Sequence, residues 1–190
     1  MPRGQVFRVE VPRLEPGSGT LHSLSDAWND AVVRALRADP PDVVVTSGVA
    51  KDAWAGTGTQ RRPLVEGYAT RWRSLADAGV PVVVVGDSPL SPDDLDICAA
   101  RHPRELSRCA FPRAEAVAGS GLLVQREAFA ATAGGGVSLL DLTPWICPQE
   151  LCPVVIGHVA VHRAGDHVTA TYAATLAAQV AGAVDDALAP

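Results

Sequence analysis

His167 is the residue of this 190-residue chain best placed to move a proton. It closes the loop His162-Arg163-Ala164-Gly165-Asp166-His167, just ahead of a helix whose start is marked by Thr169, whose hydroxyl is placed to cap it. An imidazole at the mouth of such a loop is where an α/β hydrolytic fold carries its general base. A base needs an acceptor on its second ring nitrogen, and Asp166 is the nearest carboxylate. Adjacent residues ordinarily point apart, so Asp166 serves only if the loop bends at Gly165. A base also needs a nucleophile, and two serines follow apolar runs. Ser88 ends Gly86-Asp87-Ser88, the single Gly-Asp-Ser of the chain, directly after residues 81–85 (PVVVV). Ser47 follows residues 42–46 (DVVVT), and Gly48 beside it can offer a backbone N–H to an oxyanion. The plainer reading of each serine, and the one its context favours, is a polar turn after a buried strand.

The four cysteines are the other reactive set. Cys98 with Cys109, and Cys147 with Cys152, enclose short loops, so pairing within each has the lowest closure cost of the three connectivities. Zinc thiolates and free buried thiols are the alternatives, although the spacings are wider than the usual C-x2-C of zinc sites. Bridges imply an oxidising compartment, yet the first residues, MPRGQVFRVEVPRLEPGSG, lack the apolar core of a secretion signal.

The elements that position these groups can be read in order. Residues 6–11 form a possible edge strand, and residues 15–20 a turn-rich loop. A helix capped by Ser25 or Asp26 puts Ala27, Val32, Val33 and Leu36 on one face and ends before Pro40-Pro41. The β-branched run 42–46 reads as a parallel strand covered on both faces. Residues 50–63 are a glycine-rich loop without the lysine or spacing of a phosphate loop. A second helix over 64–78 and a second strand over 81–85 complete another strand–helix unit, and helix crossovers impose parallel order. A short helix over 91–100, a longer one over 113–131 interrupted at Gly119-Ser120-Gly121, and a strand over 137–142 follow. Pro144 ends that strand. After a further apolar run over 153–161, a last helix over 169–188 closes the chain. The pattern predicts a three-layer α/β domain with a mainly parallel sheet and helices on both faces. Residues 1–23 form an arm or edge strand and residues 24–190 the domain.

Composition bounds what this domain meets. Hydrophobic residues make up 47% of the chain, enough for one sizeable core without an internal linker. A formal net charge of −5, a lone lysine (Lys51) and scattered arginines exclude the basic face a nucleic acid requires. No apolar run reaches the roughly 20 residues of a membrane-spanning helix. Nothing in the sequence calls for a cofactor or a metal.

The run Asp141-Leu142-Thr143-Pro144-Trp145-Ile146-Cys147, then Cys152-Pro153-Val154-Val155-Ile156-Gly157 and Arg163 through Thr171-Tyr172, resembles the C-terminal part of the SGNH-type domain fused to bacterial integral-membrane acyltransferases. By the same resemblance, Asp87-Ser88-Pro89, Cys98 and Cys109 fall where the family has an Asp-Thr-Pro-like turn and its other cysteine pair. The resemblance implies an SGNH/flavodoxin-like fold and acyl-ester chemistry on extracytoplasmic glycans by a Ser/His/Asp set. His167 matches the family histidine; Ala164 stands where the family's Asp-x-x-His has its aspartate. The family's early Gly-Asp-Ser block has no counterpart near the start, and Asn29, the single asparagine, lies upstream of Ser88. The implied function is that of a domain related to O-acyltransferases and esterases with weak or lost catalysis. The alternative is a non-catalytic module, a remnant of a larger membrane acyltransferase that binds a glycan or partner. The implied partners are an acylated carbohydrate or other ester and a membrane acyltransferase domain, outside the cytoplasm. Trp145, beside the histidine loop, can cover an acyl chain or sugar ring.

Overall fold

The computed structural model describes residues 5–8, 23–48, 61–163 and 167–189. Along the chain, β1 (Gln5–Arg8) is followed by helix α1 (Ser23–Ala38), β2 (Val44–Ser47), α2 (Arg61–Ala76), β3 (Val82–Val85) and α3 (Leu95–Arg101). Then come β4 (Phe111–Pro112), α4 (Arg113–Ala118), α5 (Leu122–Ala131), β5 (Val137–Leu140) and α6 (Thr143–Ile146). Short strands β6 (Leu151–Cys152), β7 (Val155–Ile156) and β8 (Val159–Ala160) lead to α7 (Ala170–Thr175) and α8 (Ala177–Leu188).

β1, β2, β3 and β5 form one parallel sheet in that order. Its registry is even: Arg8 pairs with Ser47, Ser47 with Val85, and Val85 with Leu140, so the strands stop at a common carboxyl edge. Alternation splits the sheet into two faces. Val44, Val82, Val84 and Val137 join Leu36 of α1, Leu64, Trp72 and Leu75 of α2, and Val124 and Ala128 of α5 in the main core. Helix α8 packs against β3 and β5 as the third layer. Val82, Val83 and Val84 are all but inaccessible, each contributing about 1.5–3 kcal/mol by leaving water. The three-layer α/β arrangement with a parallel sheet is therefore as the apolar runs require; of the strands expected at Val43, Val82 and Leu139 in its centre, β2 begins at Val44 and β3 is central, whereas β5 is at the edge of the four.

Several boundaries differ from the sequence reading, each for a local reason. Helix α1 starts at Ser23 and not at Ser25 or Asp26; α2 takes in Arg61, Arg62 and Pro63, because proline suits a helix's first turn. The loop residues 49–60 and the early segments 9–22 lie outside the described residues. The apolar run 153–161 is not one strand but the hairpin β7–β8, since Gly157 (φ 58°) and His158 (φ 66°) take consecutive positive φ values at its turn. The last helix breaks at Leu176, whose φ of −91° and ψ of 2° end α7 and begin α8. Thr169 does cap α7, its hydroxyl accepting from the Tyr172 N–H at 3.1 Å.

A second, smaller core is stapled by both disulfides, Cys98–Cys109 and Cys147–Cys152. Leu95, Phe111, Ala116 and Val154 pack around them, and β4 pairs antiparallel with β6, Phe111 opposite Cys152. All four cysteines are consumed in these bridges, which removes the zinc and free-thiol alternatives. Among the described residues, no helix is long and apolar enough to cross a membrane.

The two bridges differ in access: Cys147 and Cys152 are fully buried, whereas Cys98 is partly exposed. Mild reductant with an alkylating agent is expected to label Cys98 and Cys109 first, and Cys147 and Cys152 only after unfolding, as read by peptide mass mapping. Removing the bridges one at a time is expected to cost about 3 kcal/mol for Cys98–Cys109 and about 2 kcal/mol for Cys147–Cys152, following their loop lengths.

Candidate functional site

The carboxyl edge of a parallel sheet is where open α/β folds bind ligands, and here it gathers Ser47, Gly48, Gly86, Asp87 and Ser88. The side chain that joins them is Gln125, on the otherwise apolar inner face of α5 and completely buried. Its Nε2 donates to the Gly48 carbonyl at 2.9 Å, and its Oε1 accepts from the Asp87 N–H at 2.6 Å. One amide thus ties the ends of β2 and β3 to the helix layer. An added Cβ at Gly48 would stand 2.7 Å from the hydroxyl of the buried Tyr68 of α2, so that ring would have to shift to admit one. Gly86 is equally confined, with Leu122 Cδ1 2.7 Å from an added Cβ.

Asp87 turns its carboxylate back into the fold. Oδ2 accepts from the Gly121 N–H at 2.8 Å, immediately ahead of α5, and Oδ1 accepts from the Ser88 N–H at 3.0 Å. A negative charge there complements the positive end of the helix. Ser88, half-buried, is held by its backbone, and Ser47 is exposed at the end of β2.

The histidine loop is fastened at its base. The Arg163 N–H donates to the His167 carbonyl at 2.8 Å, His162 and Val168 form a β-bridge, and the Thr169 N–H donates to the Val161 carbonyl at 2.9 Å. The Thr169 hydroxyl also donates to the Ala160 carbonyl at 2.6 Å. These bonds leave the His167 side chain exposed and its ends fixed. Asp166 and Ala164 lie outside the described residues. His162 is buried, edge-on to Phe111 at 5.8 Å between centroids, so it belongs to the disulfide-stapled core.

Trp145 is anchored at both ends while 42% of it remains exposed. The Tyr172 hydroxyl donates to its carbonyl at 2.7 Å. With the Gln179 amide oriented to satisfy both its ends, its oxygen accepts from the indole Nε1 at 3.2 Å and its nitrogen donates to the Leu176 carbonyl at 3.1 Å. Burial pushes the Tyr172 phenol up from its ordinary value, so it stays a donor. Asp141 sets the start of α6: its Oδ1 accepts from the Thr143 N–H at 2.9 Å, and its Oδ2 binds Arg126. Burial opposes the charged form of Asp141, yet hydrogen bonds from Thr143 and Arg126 outweigh it and hold the carboxyl below the ordinary range.

The structure therefore brings Ser47, Gly48, Asp87 and Ser88 together through Gln125. Among the described residues, no hydrogen bond joins His167 to Ser88 or to Ser47. Gln125, Tyr68 and Gln179 carry no motif in the sequence, and Tyr172 enters there only as part of the family-like run. For Gln125 a signal existed, since a lone amide among Leu122, Val124 and Ala128 on a core-facing stripe must find buried partners.

No curated protein and no solved structure matches the chain. The family described as SGNH domain (fused to AT3 domains) matches residues 4–182, nearly the whole length. This chain belongs to that SGNH domain family.

Proposed function

We propose that this SGNH domain recognises acyl groups on extracytoplasmic glycans, with hydrolysis or transfer weak or lost. The observation that carries the reading is the carboxylate of Asp87. In the one Gly-Asp-Ser of the chain, both carboxylate oxygens accept backbone N–H groups, so the turn serves as a joint between β3 and α5. A serine nucleophile needs a base on its hydroxyl, and an orienting group on that base. His167 stands fastened and exposed, but Ala164 replaces the aspartate of the family's Asp-x-x-His, and Asp166 would serve only in a bent loop. What remains suited to a ligand is recognition: Trp145, rigid and exposed, offers an aromatic face to a sugar ring or acyl chain. The family's association with AT3 domains makes a membrane acyltransferase domain the fitting partner.

Ester turnover by the wild type, His167→Ala, Ser88→Ala and Ser47→Ala tests this. A working general base contributes about 10²–10⁴-fold. The expected result is hydrolysis of p-nitrophenyl acetate within about tenfold of buffer, indifferent to all three changes, with Ala164→Asp giving only a small gain. Robust turnover abolished by His167→Ala and by one serine change would overturn the reading and name the nucleophile.

A further inference from the structure

A groove of about 620 Å³ runs between α4, the first turn of α5, the start of α6 and the residue before β6. Its volume is that of a small-molecule site. None of Ser47, Gly48, Ser88, Trp145 or His167 lines it. One wall is apolar, built from Ala114, Val117 and Ala118 of α4 and Leu123 of α5; the polar residues are Arg113, Arg126, Thr143 and Glu150.

The charges are not self-satisfied. Arg126 is committed to Asp141. Arg113 and Glu150 face the same groove, and among the described residues neither enters an ion pair, with each other or with anything else. Only their backbones meet, the Arg113 N–H donating to the Glu150 carbonyl at 2.8 Å. That bond fixes where the Arg113 side chain leaves the chain, at the rim of the apolar wall. Arg113 as a residue is half-buried, and among the described residues no carboxylate is paired with it.

We propose that this groove is a binding site for a small organic carboxylate, a monoanion carrying an apolar body. The guanidinium of Arg113 receives the carboxylate through its planar pair of N–H donors. The body lies along Val117, Ala118 and Leu123, where it leaves water. Glu150 sets the charge limit. A dianion such as phosphate meets its repulsion and finds no apolar contact, whereas a single negative charge is met by a single free guanidinium. Because no residue of the proposed acyl-glycan site lines the groove, this binding stands apart from ester chemistry.

Titration calorimetry on the whole chain with octanoate tests the assignment, with octylamine and inorganic phosphate as controls. Octanoate is expected to bind saturably, and neither control to bind comparably. Arg113→Gln is expected to weaken octanoate about tenfold or more, by removing a charge-assisted pair. Val117→Asp should abolish binding, and Glu150→Gln should strengthen it several-fold by removing a like charge, a gain that a folding defect would not produce. His167→Ala should leave binding unchanged, so a failure here is separable from a failure of the acyl-glycan reading. The assignment is overturned if the wild type shows no saturable octanoate binding, if octylamine or phosphate binds as well, if Arg113→Gln and Val117→Asp have no effect, or if Glu150→Gln weakens binding.

Discussion

The carboxyl edge of the sheet is held by one buried amide, that of Gln125, which donates to the end of β2 and accepts from the turn after β3. In a parallel sheet the last carbonyls and N–H groups of the strands have no further ladder to join, and burial makes any unpaired one costly. Gln125 resolves two of these at once, and the Asp87 carboxylate accepts from the Ser88 N–H of the same turn and from the Gly121 N–H at the start of α5. The glycines follow from the same closeness: Gly48 lies against Tyr68 and Gly86 against Leu122, so the helix layer presses directly on the strand ends.

The histidine loop is organised by different forces. Its base is a short antiparallel arrangement, closed by Thr169, which both donates to Ala160 and accepts from Tyr172. Tyr172 reaches on to Trp145, and Gln179 fastens the indole from α8, so the tryptophan is tied to both α7 and α8. Behind them, Cys147–Cys152 sets the chain leaving α6, and Phe111 carries the contact to His162. Rigidity of this kind lowers the ordering cost of binding, whether or not a reaction follows.

Much of this was legible in the residue order. Continuous β-branched runs announced buried parallel strands, and short cysteine spacings announced local bridges, because both depend on neighbours in sequence. The Thr169 cap and the break at Gly119-Ser120-Gly121 were legible for the same reason. The hairpin at Gly157-His158 was not, since the run of apolar residues hides a turn that only a positive φ at histidine reveals. Nor was the break at Leu176, a buried leucine in a helix-favouring stretch where packing against Ile146, Val161 and Tyr172 decides the backbone. At the candidate site, the serines and the histidine could be named, but the partners that fix their surroundings come from 38 and 77 residues away in the chain, for Asp87 and Gly48 with Gln125. Such pairings are tertiary, and no local pattern carries them.

The account rests on the strand ends being a structural joint, and the unfolding free energy of Gln125→Leu tests that most directly. Leucine keeps the volume and the helix but leaves the Gly48 carbonyl and the Asp87 N–H without their partner. The account predicts a loss of about 2–4 kcal/mol by denaturant titration, with the slope of the transition unchanged. A stability within about 0.5 kcal/mol of the wild type would contradict it, since the amide would then be replaceable by apolar contact alone.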